Sequence, residues 1–446
     1  MKVQEMLSIL SDVLTEHYRS GVSLKESFYR VFDDPMSIPS HQARMIHRRL
    51  MELGKRLGLC EEALDDVIQS AEFEDLRPEL KGILVAAADE ILFEGTSPAL
   101  VTDAATRKAR ETLHEGAANF VHAVCFDLEE YDLNRLRERG YDELSLKYHF
   151  PPEFVEHARR VLPEDELEAF LEACNRPAVK YVRVNTLHAD REEVAERLRD
   201  EGVTVEPDPH VPDLLRVVEE RVPIVRTETW RKGLVFTQDK ASALVGHVLN
   251  PRPGEFVVDL CAAPGGKTLH ALCLMEGEGE ILAVDRSDWR LEAMKEKLEW
   301  QRVPDGAVEL RHADARELPE ELEGEADRVI VDPPCSGMGS VQKRPETRWN
   351  LSRRKVRRYA KLQAELLEAG VRVARPGGVI VYSTCTLTLD ENEGVVRRVL
   401  RRRDDVELEE VRADFGREGR LSGTRRFYPH SDDCQGFFIA RLRRRR

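Results

Sequence analysis

No apolar stretch in this chain approaches the uninterrupted run of about twenty residues that a helix needs to cross a bilayer. The opening residues Met1-Lys2-Val3-Gln4-Glu5-Met6 also lack the basic-then-apolar order of a secretory signal. A cytoplasmic protein with no membrane partner is the expectation. Cysteine is present but in no metal-binding pattern. The eight residues at 60, 125, 174, 261, 273, 335, 385 and 434 contain no CxxC and no Cys/His pair of ligand spacing. A long intracellular chain keeps such cysteines reduced, so thiols and no metal are expected. Internal repeats and low-complexity segments are missing too.

Positive charge is scarce overall, with a formal net charge of −15. Residues 1–130 carry 14 Lys+Arg against 24 Asp+Glu, a net of −10, which leaves 54 against 59 for the rest. The acidity is thus concentrated in the amino-terminal third. Elsewhere basic clusters stand out at Arg353-Arg354-Lys355 with Arg357 and Arg358, at Arg397-Arg398 with Arg401 to Arg403, and in Arg441 with Arg443 to Arg446. Local patches rather than bulk charge decide whether phosphate is held. For each run the alternative is a solvated helix face or a frayed tail. A charged fraction of 34% also fits ion-pair networks of the kind that multiply in adaptation to heat or salt.

At 446 residues, 41% of them hydrophobic, the chain exceeds one core and predicts two or three domains. From Val3 to about Leu128 apolar residues recur at helical spacing, as in Met6, Leu7, Leu10 and Leu14, then Leu84, Ala87, Ala88, Ile91 and Leu92. We expect an all-α domain over 1–130. Its apolar and small residues from Leu80-Lys81-Gly82-Ile83 through Gly116-Ala117-Ala118-Asn119-Phe120-Val121 resemble the helical domain of the NusB antitermination factor. Residues 131–232 turn to short mixed elements: Tyr181 to Leu187, a Glu-rich helix from Arg191, Gly202, then Val203-Thr204-Val205. This reads as a small α+β domain. From 233 to 446 strands such as Phe256–Leu260, Glu280–Asp285, Arg328–Val331 and Val379–Tyr382 alternate with helices, predicting a doubly wound, Rossmann-like α/β domain.

The first of those strands runs into Asp259-Leu260-Cys261-Ala262-Ala263-Pro264-Gly265-Gly266-Lys267-Thr268. Strand, glycine turn and helix bring backbone N–H groups close to a ligand. The loop has neither Gly-x-Gly-x-x-Gly nor Gly-x-x-x-x-Gly-Lys-[Ser/Thr], which weakens dinucleotide and triphosphate readings. Asp285, at the end of the second strand, suits ribose hydroxyls, and Asp314, at the end of the third, suits an adenine amino group. Such acids fit adenosine better than phosphate. S-adenosyl-L-methionine has adenosine, no phosphate, and a sulfonium that Asp259 or Asp332 would favour. For any one of these aspartates a helix N-cap is the structural alternative.

Two cysteines complete the pattern: Cys335, after Asp332-Pro333-Pro334, and Cys385, in Tyr382-Ser383-Thr384-Cys385-Thr386. If their strands share a parallel sheet, both thiols reach the crevice at its carboxyl edge. Thiols there point to methylation of a pyrimidine ring carbon. C5 is a poor nucleophile, and thiolate addition at C6 activates it. Asp332 is placed to hold the ring N3. The residues by themselves do not rank the two thiols.

Asp-Leu-Cys-Ala-Ala-Pro-Gly-Gly-Lys-Thr, Asp-Pro-Pro-Cys-Ser-Gly and Tyr-Ser-Thr-Cys resemble the motifs of the RsmB/Nop2/Sun family of RNA 5-methylcytosine methyltransferases. Leu144 to Pro152 and Tyr181 to Leu187 are similar to that family's RNA-binding pre-catalytic region. The resemblance covers roughly 140–446. It implies that Cys385 forms the adduct, that Cys335 assists product release and that Lys267 lies near the target base. It also implies that Cys261, Ala262, Ala263, Pro264, Gly265, Gly266, Lys267, Asp285, Arg290, Asp314 and Asp332 bind S-adenosyl-L-methionine. The implied partner is rRNA or tRNA, with rRNA favoured by the NusB-like segment. A monomer is expected. Thr386 stands where the family usually has Ser, and Gln435 where it usually has Asp. The basic segment Lys343 to Trp349 is an expected RNA contact. Uridine C5 methylation and a non-catalytic RNA-binding scaffold are the rival readings.

Overall fold

The computed structural model describes residues 2–32 and 39–446. The chain forms two compact units, Met1–Glu156 with Val341–Leu351, and His157–Ser340 with Ser352–Arg446.

The first unit is helical, with helices Val3–Ser20, Leu24–Val31, Ser40–Val67, Pro78–Leu92, Pro98–Thr112 and Glu115–Glu129. Helical spacing puts Met6, Leu7, Leu10, Val13 and Leu14 on one buried face of the first. Pro78–Leu92 differs, since every residue from Gly82 to Glu90 is buried. A helix apolar nearly all round has to lie inside its unit. Proline opens it and the next helix, at a position whose N–H has no helical partner.

The segment Val341–Leu351 is built into this same unit. The Arg348 side chain is fully buried, its guanidinium 3.8 Å from the centre of the Phe150 ring, and it donates to the His149 carbonyl at 2.9 Å. The Trp349 indole N–H donates to the Gly54 carbonyl at 3.0 Å. Of the segment's basic residues, Lys343 and Arg344 remain exposed.

The second unit holds two sheets. The smaller consists of β1 (Tyr181–Val184), β2 (Val203–Pro207), β3 (Leu214–Glu220) and β4 (Val235–Thr237), ordered β2-β3-β1-β4 and wholly antiparallel. Val194 and Leu198 of helix Arg191–Asp200 join its core. The larger consists of β5 (Phe256–Asp259), β6 (Glu280–Asp285), β7 (Val308–His312), β8 (Ala326–Val331), β9 (Ala374–Thr384), β10 (Val406–Glu409), β11 (Arg417–Glu418), β12 (Arg425–Phe427) and β13 (Phe437–Arg444). Its order is β11-β12-β13-β9-β8-β5-β6-β7, with β10 also pairing β13. From β9 to β7 all neighbours are parallel. Both faces of these strands are covered, so they read as nearly continuous apolar runs. Val258, Val329 and Ile380 enter the core on one face, and Val257, Ile330 and Val381 the core on the other. Strand order reverses between β5 and β8, the switch point where such sheets open a crevice at their carboxyl ends.

The carboxyl-terminal arginine run is a strand, neither a frayed tail nor a phosphate patch. β13 lies antiparallel to both β9 and β10. Arg441 and Arg443 pair with Glu409, Arg445 with Glu407 at 3.4 Å and Arg444 with Asp405 at 3.5 Å. Arg354, Arg357 and Arg358 keep an exposed face on helix Arg353–Val373. Among the described residues no helix is long and apolar enough to cross a membrane.

The expected ion-pair networks are also present. Arg49 reaches Asp89 at 3.0 Å and Glu90 at 2.7 Å, while Arg56 reaches Glu94 at 2.6 Å and Asp89 at 3.4 Å. Asp89 is fully buried, which pushes its pKa up to about 6 against the pull of both arginines. Networks of this kind gain weight with temperature. We expect a melting temperature above the mesophilic range of about 45–65 °C. Arg49→Met, by stranding a buried carboxylate, should lower the unfolding free energy in a denaturant titration by roughly 3 kcal/mol.

Candidate active site

The glycine loop is stitched to both neighbouring strands. Leu260 donates its N–H to Ile330 of β8 at 3.0 Å, and Ala262 donates to Val284 of β6 at 2.9 Å. Gly265 has φ 92°, and a Cβ there would stand 3.0 Å from Met294 Cγ. Glycine is needed at this point, where the loop turns into helix Gly266–Leu274. Asp259 is the buried anchor below. It accepts from the Thr268 hydroxyl at 2.8 Å and the Cys261 N–H at 3.4 Å. Burial raises its pKa to about 7. Only 2% exposed, it serves the loop, not a sulfonium at the surface of the crevice.

A pocket at the carboxyl ends of β5, β6 and β7 is lined by Leu260, Cys261, Asp285, Arg290, Asp314 and Pro334, among others. Asp285 accepts the N–H of Ser287 at 3.0 Å and of Ala263 at 3.2 Å, and pairs with Arg290 at 3.2 Å. Arg290 also donates to the Ala263 carbonyl, which ties the pocket's acid to the loop. Asp314 caps a turn through the Arg316 N–H at 3.0 Å and pairs with the Arg316 guanidinium at 2.7 Å. An amino group arriving there shares its carboxylate with that arginine. These contents fit S-adenosylmethionine: carboxylate acceptors for hydroxyl and amino donors, and the apolar walls Leu362 and Leu366 for a purine face. Four of the expected cofactor residues, Cys261, Asp285, Arg290 and Asp314, line this pocket. Ala262, Ala263, Pro264, Gly265 and Gly266 form the loop beside it.

Lys267 and Asp332 lie on the cysteine side. The Lys267 ammonium is 2.6 Å from Asp332, whose other oxygen accepts from the Ser383 hydroxyl at 2.9 Å. Burial pulls the Lys267 pKa down, and Asp332 more than offsets it, so the group stays charged. Lys267 is also close enough to Cys385 for their charges to interact. In the parallel pairing of β8 with β9, Val331 stands opposite Tyr382. The two chains therefore leave the sheet together, and Cys335 Sγ comes to 3.3 Å from Cys385 Sγ. The contact with Cys385, followed by burial, pushes the Cys335 thiol well above its ordinary value. Two thiols this close lose their protons in sequence, as a pair.

Further hydrogen bonds join the two cysteine loops. Gly339 donates its N–H to the Cys385 carbonyl at 2.9 Å and accepts from the Gly436 N–H at 3.0 Å. A Cβ at Gly339 would lie 1.8 Å from the Gly436 oxygen, so this approach requires glycine. Gln435, which replaces the usual Asp, holds its place through its backbone N–H, bound to Asp239 at 3.0 Å. Sequence reasoning missed Ser336, Glu391 and Asn392, whose side chains knit these loops. The one visible signal was the polar run Asp390-Glu391-Asn392-Glu393 just after a buried strand.

A second unforeseen cluster lies behind the glycine loop. Asp213 stands 2.8 Å from His247 Nε2 and 2.6 Å from His270 Nε2. The three ligand atoms lie within 4.8 Å of one another, a spacing that admits a divalent cation. The Arg183 guanidinium, fully buried and bound to the Gly266 carbonyl at 2.7 Å, interacts electrostatically with both Asp213 and His270. Burial and Arg183 together press the His270 pKa down to about 4, so its ring is neutral at pH 7. The arrangement is that of a carboxylate bridging two imidazoles and holding the loop's helix.

A family model described as 16S rRNA methyltransferase RsmB/F matches residues 246–443, and one for an RsmF/B-like ferredoxin-like domain matches 150–224. A probable ribosomal RNA small subunit methyltransferase B of Synechocystis is 33% identical over 308 residues, 68% of this chain and 68% of its own length. A human 28S rRNA (cytosine(4447)-C(5))-methyltransferase is 35% identical over 328 residues, 70% of this chain and 39% of its own length. The chain spans only 39% to 48% of the eukaryotic curated relatives it matches. The crystal structure of PH0851 superposes with a TM-score of 0.86 at 30% identity, covering 98% of each chain.

The raised pKa of Asp259 has a consequence with a definite sign. Between about pH 4 and pH 7 the unfolded carboxyl is ionised while the folded one keeps its proton, so stability falls as pH rises through that window. Asp259→Asn should flatten that part of the stability–pH curve, whose full height is on the order of 4 kcal/mol. Denaturant titrations at closely spaced pH values measure it. Asp285→Ala should weaken S-adenosylmethionine binding at least tenfold in calorimetry, since it removes a buried acceptor and frees the loop it anchors.

Proposed function

The chain belongs to the RsmB/F family of methyltransferases, and from that premise we propose that it is an S-adenosylmethionine-dependent RNA (cytosine-C5) methyltransferase acting on ribosomal RNA. The observation that carries this reading is the pair of thiols 3.3 Å apart, beside a lysine–aspartate pair and next to a pocket lined by Asp285 and Asp314. A scaffold has no use for such a pair at the crevice.

S-adenosylmethionine, when bound, supplies the methyl group as a sulfonium. Cys385 adds through sulfur to C6 of the cytosine, which makes C5 nucleophilic enough to take that methyl. Asp332, steadied by Lys267 and Ser383, faces the ring N3 and exchanges a proton as the ring charge changes. A water molecule takes the C5 proton as the Cys385–C6 bond breaks, the bonding pair of C5–H restores the ring double bond, and the pair of the C–S bond leaves with the Cys385 sulfur, ready for a proton. Cys335, whose proton affinity its neighbour raises, is the proton source that assists this elimination. A cytosine presents a donor at ring position 4 and an acceptor at N3. The Lys267–Asp332 pair offers partners of both kinds, which favours cytosine over uridine.

We assign residues 1–130 to a NusB-like helical domain, 131–232 to an RNA-binding pre-catalytic region and 233–446 to the methyltransferase domain. The helical domain supports ribosomal RNA over transfer RNA. The exposed Arg354, Arg357 and Arg358 offer a phosphate-binding face near the Asp-Pro-Pro-Cys loop in sequence. We assign the enzyme to the cytoplasm as a monomer.

The test is incubation with tritiated S-adenosylmethionine and unmodified ribosomal or transfer RNA, for wild type, Cys385→Ala and Cys335→Ala. Wild type should form 5-methylcytosine in ribosomal RNA. Cys385→Ala should give neither product nor adduct, and Cys335→Ala should trap a gel-stable protein–RNA adduct. Transfer only to transfer RNA would overturn the substrate reading, and an active Cys385→Ala the mechanism.

A further inference from the structure

Glu391 is fully buried and surrounded by donors. It accepts from the Ser336 N–H at 2.8 Å, the Ser336 hydroxyl at 2.5 Å, the Thr388 hydroxyl at 2.8 Å and the Gln363 amide at 3.0 Å. Four donors match the acceptor capacity of a carboxylate. Ser336 directly follows Cys335, and its Oγ lies 2.8 Å from the hydroxyl of Thr386, which directly follows Cys385. The Ser336 hydrogen is committed to Glu391, so the bond to Thr386 runs the other way, with Thr386 donating and Ser336 accepting. A directed chain Thr386 → Ser336 → Glu391 thus joins the residue after one thiol to the residue after the other. Serine in place of Thr386 would supply the same hydroxyl, which explains why that departure from the family pattern is harmless.

The next residue completes a frame around Cys385. Asn392 accepts from the Thr384 hydroxyl at 2.6 Å and donates to the Thr386 carbonyl at 2.9 Å, so its amide clamps both neighbours of Cys385. Glu391 itself is anchored by the Tyr382 hydroxyl on its carbonyl at 2.6 Å. Behind it, the buried Glu393–Arg426 pair at 2.5 Å fixes the loop, with Arg426 donating to the Leu387 carbonyl at 2.9 Å. Adjacent residues on one rigid turn therefore hold the two thiol loops, Glu391 the Cys335 loop and Asn392 the Cys385 loop.

We propose that Glu391 is a positioning residue that sets the distance between the Cys335 and Cys385 thiols and thereby controls release of the methylated RNA. This rests on the reading above, in which Cys385 forms the adduct and Cys335 assists its elimination. Of the residues adjoining the two thiols, Glu391 bonds directly only to Ser336, next to Cys335, so its loss should spare adduct formation and slow release. Glu391→Gln keeps the size but turns an amide NH2 toward groups that are themselves donors.

Two measurements on the full chain test this. In the tritium assay, Glu391→Gln should retain the first turnover while steady-state turnover falls roughly tenfold or more and the gel-stable adduct accumulates. Ser336→Ala, which cuts the same chain without altering Glu391, should behave alike, whereas Asn392→Ala should slow the first turnover itself. Separately and without RNA, a diazenedicarboxamide oxidant takes one hydrogen from each thiol and leaves the Cys335–Cys385 disulfide. Its rate, read by peptide mass spectrometry, should fall several-fold in Glu391→Gln. Unchanged disulfide rates in both Glu391→Gln and Ser336→Ala would overturn the proposal. So would equal losses of first and later turnovers accompanied by a lower melting temperature, the mark of a merely structural residue. If Cys335→Ala fails to trap the adduct, the assigned roles of the thiols fall, and the disulfide rate still judges Glu391.

Discussion

The parallel pairing of β8 with β9 is the constraint on which the site depends. Residues ending adjacent parallel strands emerge on the same edge about 5 Å apart. Val331 opposite Tyr382 therefore commits Asp332, Cys335, Ser383 and Cys385 to one small volume, although the thiols are 50 residues apart in sequence. An antiparallel β9 would have delivered one cysteine to the opposite edge of the sheet. The switch in strand order between β5 and β8 then sets the glycine loop beside the thiols. Pro334, directly before Cys335, also lines the pocket that holds Asp285 and Asp314, so the pocket and the cysteine loop share a wall.

Around that edge the chain spends polar groups freely in buried positions, and nearly every one has a partner. Lys267 meets Asp332, Glu391 meets four donors, Asn392 grips two residues, and Arg426 meets Glu393. Paired and saturated polar groups in a medium of low dielectric hold geometry more stiffly than apolar contacts do. That stiffness suits chemistry in which two thiols act in turn on one ring. The same habit resolves the charge of the protein. Several arginines that look in sequence like phosphate ligands are engaged within the protein, Arg441 and Arg443 by the Glu409 carboxylate and Arg348 by the Phe150 ring and backbone carbonyls. The arginines left exposed at the start of helix Arg353–Val373 are few and local.

Much of the fold was legible because its signals are local. The all-round apolar segment Gly82–Ala88, the apolar runs at Phe256, Glu280, Arg328 and Val379, and the glycine turn each carry a period or residue type that physics ties to one structure. Of the residues around the pocket, Asp285 and Asp314 came from the same reading, whereas Cys261 and Arg290 came from the family resemblance. The carboxyl-terminal arginines were not legible as a strand, since alternation of Arg and Leu says nothing about a partner. Only β10, with Glu407 and Glu409, supplies one. The burial of Arg348 was not legible for a like reason: a guanidinium near a proline and a tryptophan suits RNA or a buried aromatic ring equally well.

What the sequence determined by itself is therefore the chemistry: a glycine loop for an adenosine-bearing methyl donor, two strand-end thiols, and an aspartate after a buried strand. These follow from covalent neighbours and from periodicity, which survive without tertiary context. What only the tertiary structure decided is order and distance. It put Cys335 at 3.3 Å from Cys385 and raised its proton affinity, closed the chain from Thr386 through Ser336 to Glu391, and buried Asp259 beneath the glycine loop. Proton affinity and hydrogen-bond direction depend on what surrounds a group in space, and that is set by strand register and packing between residues far apart in the chain.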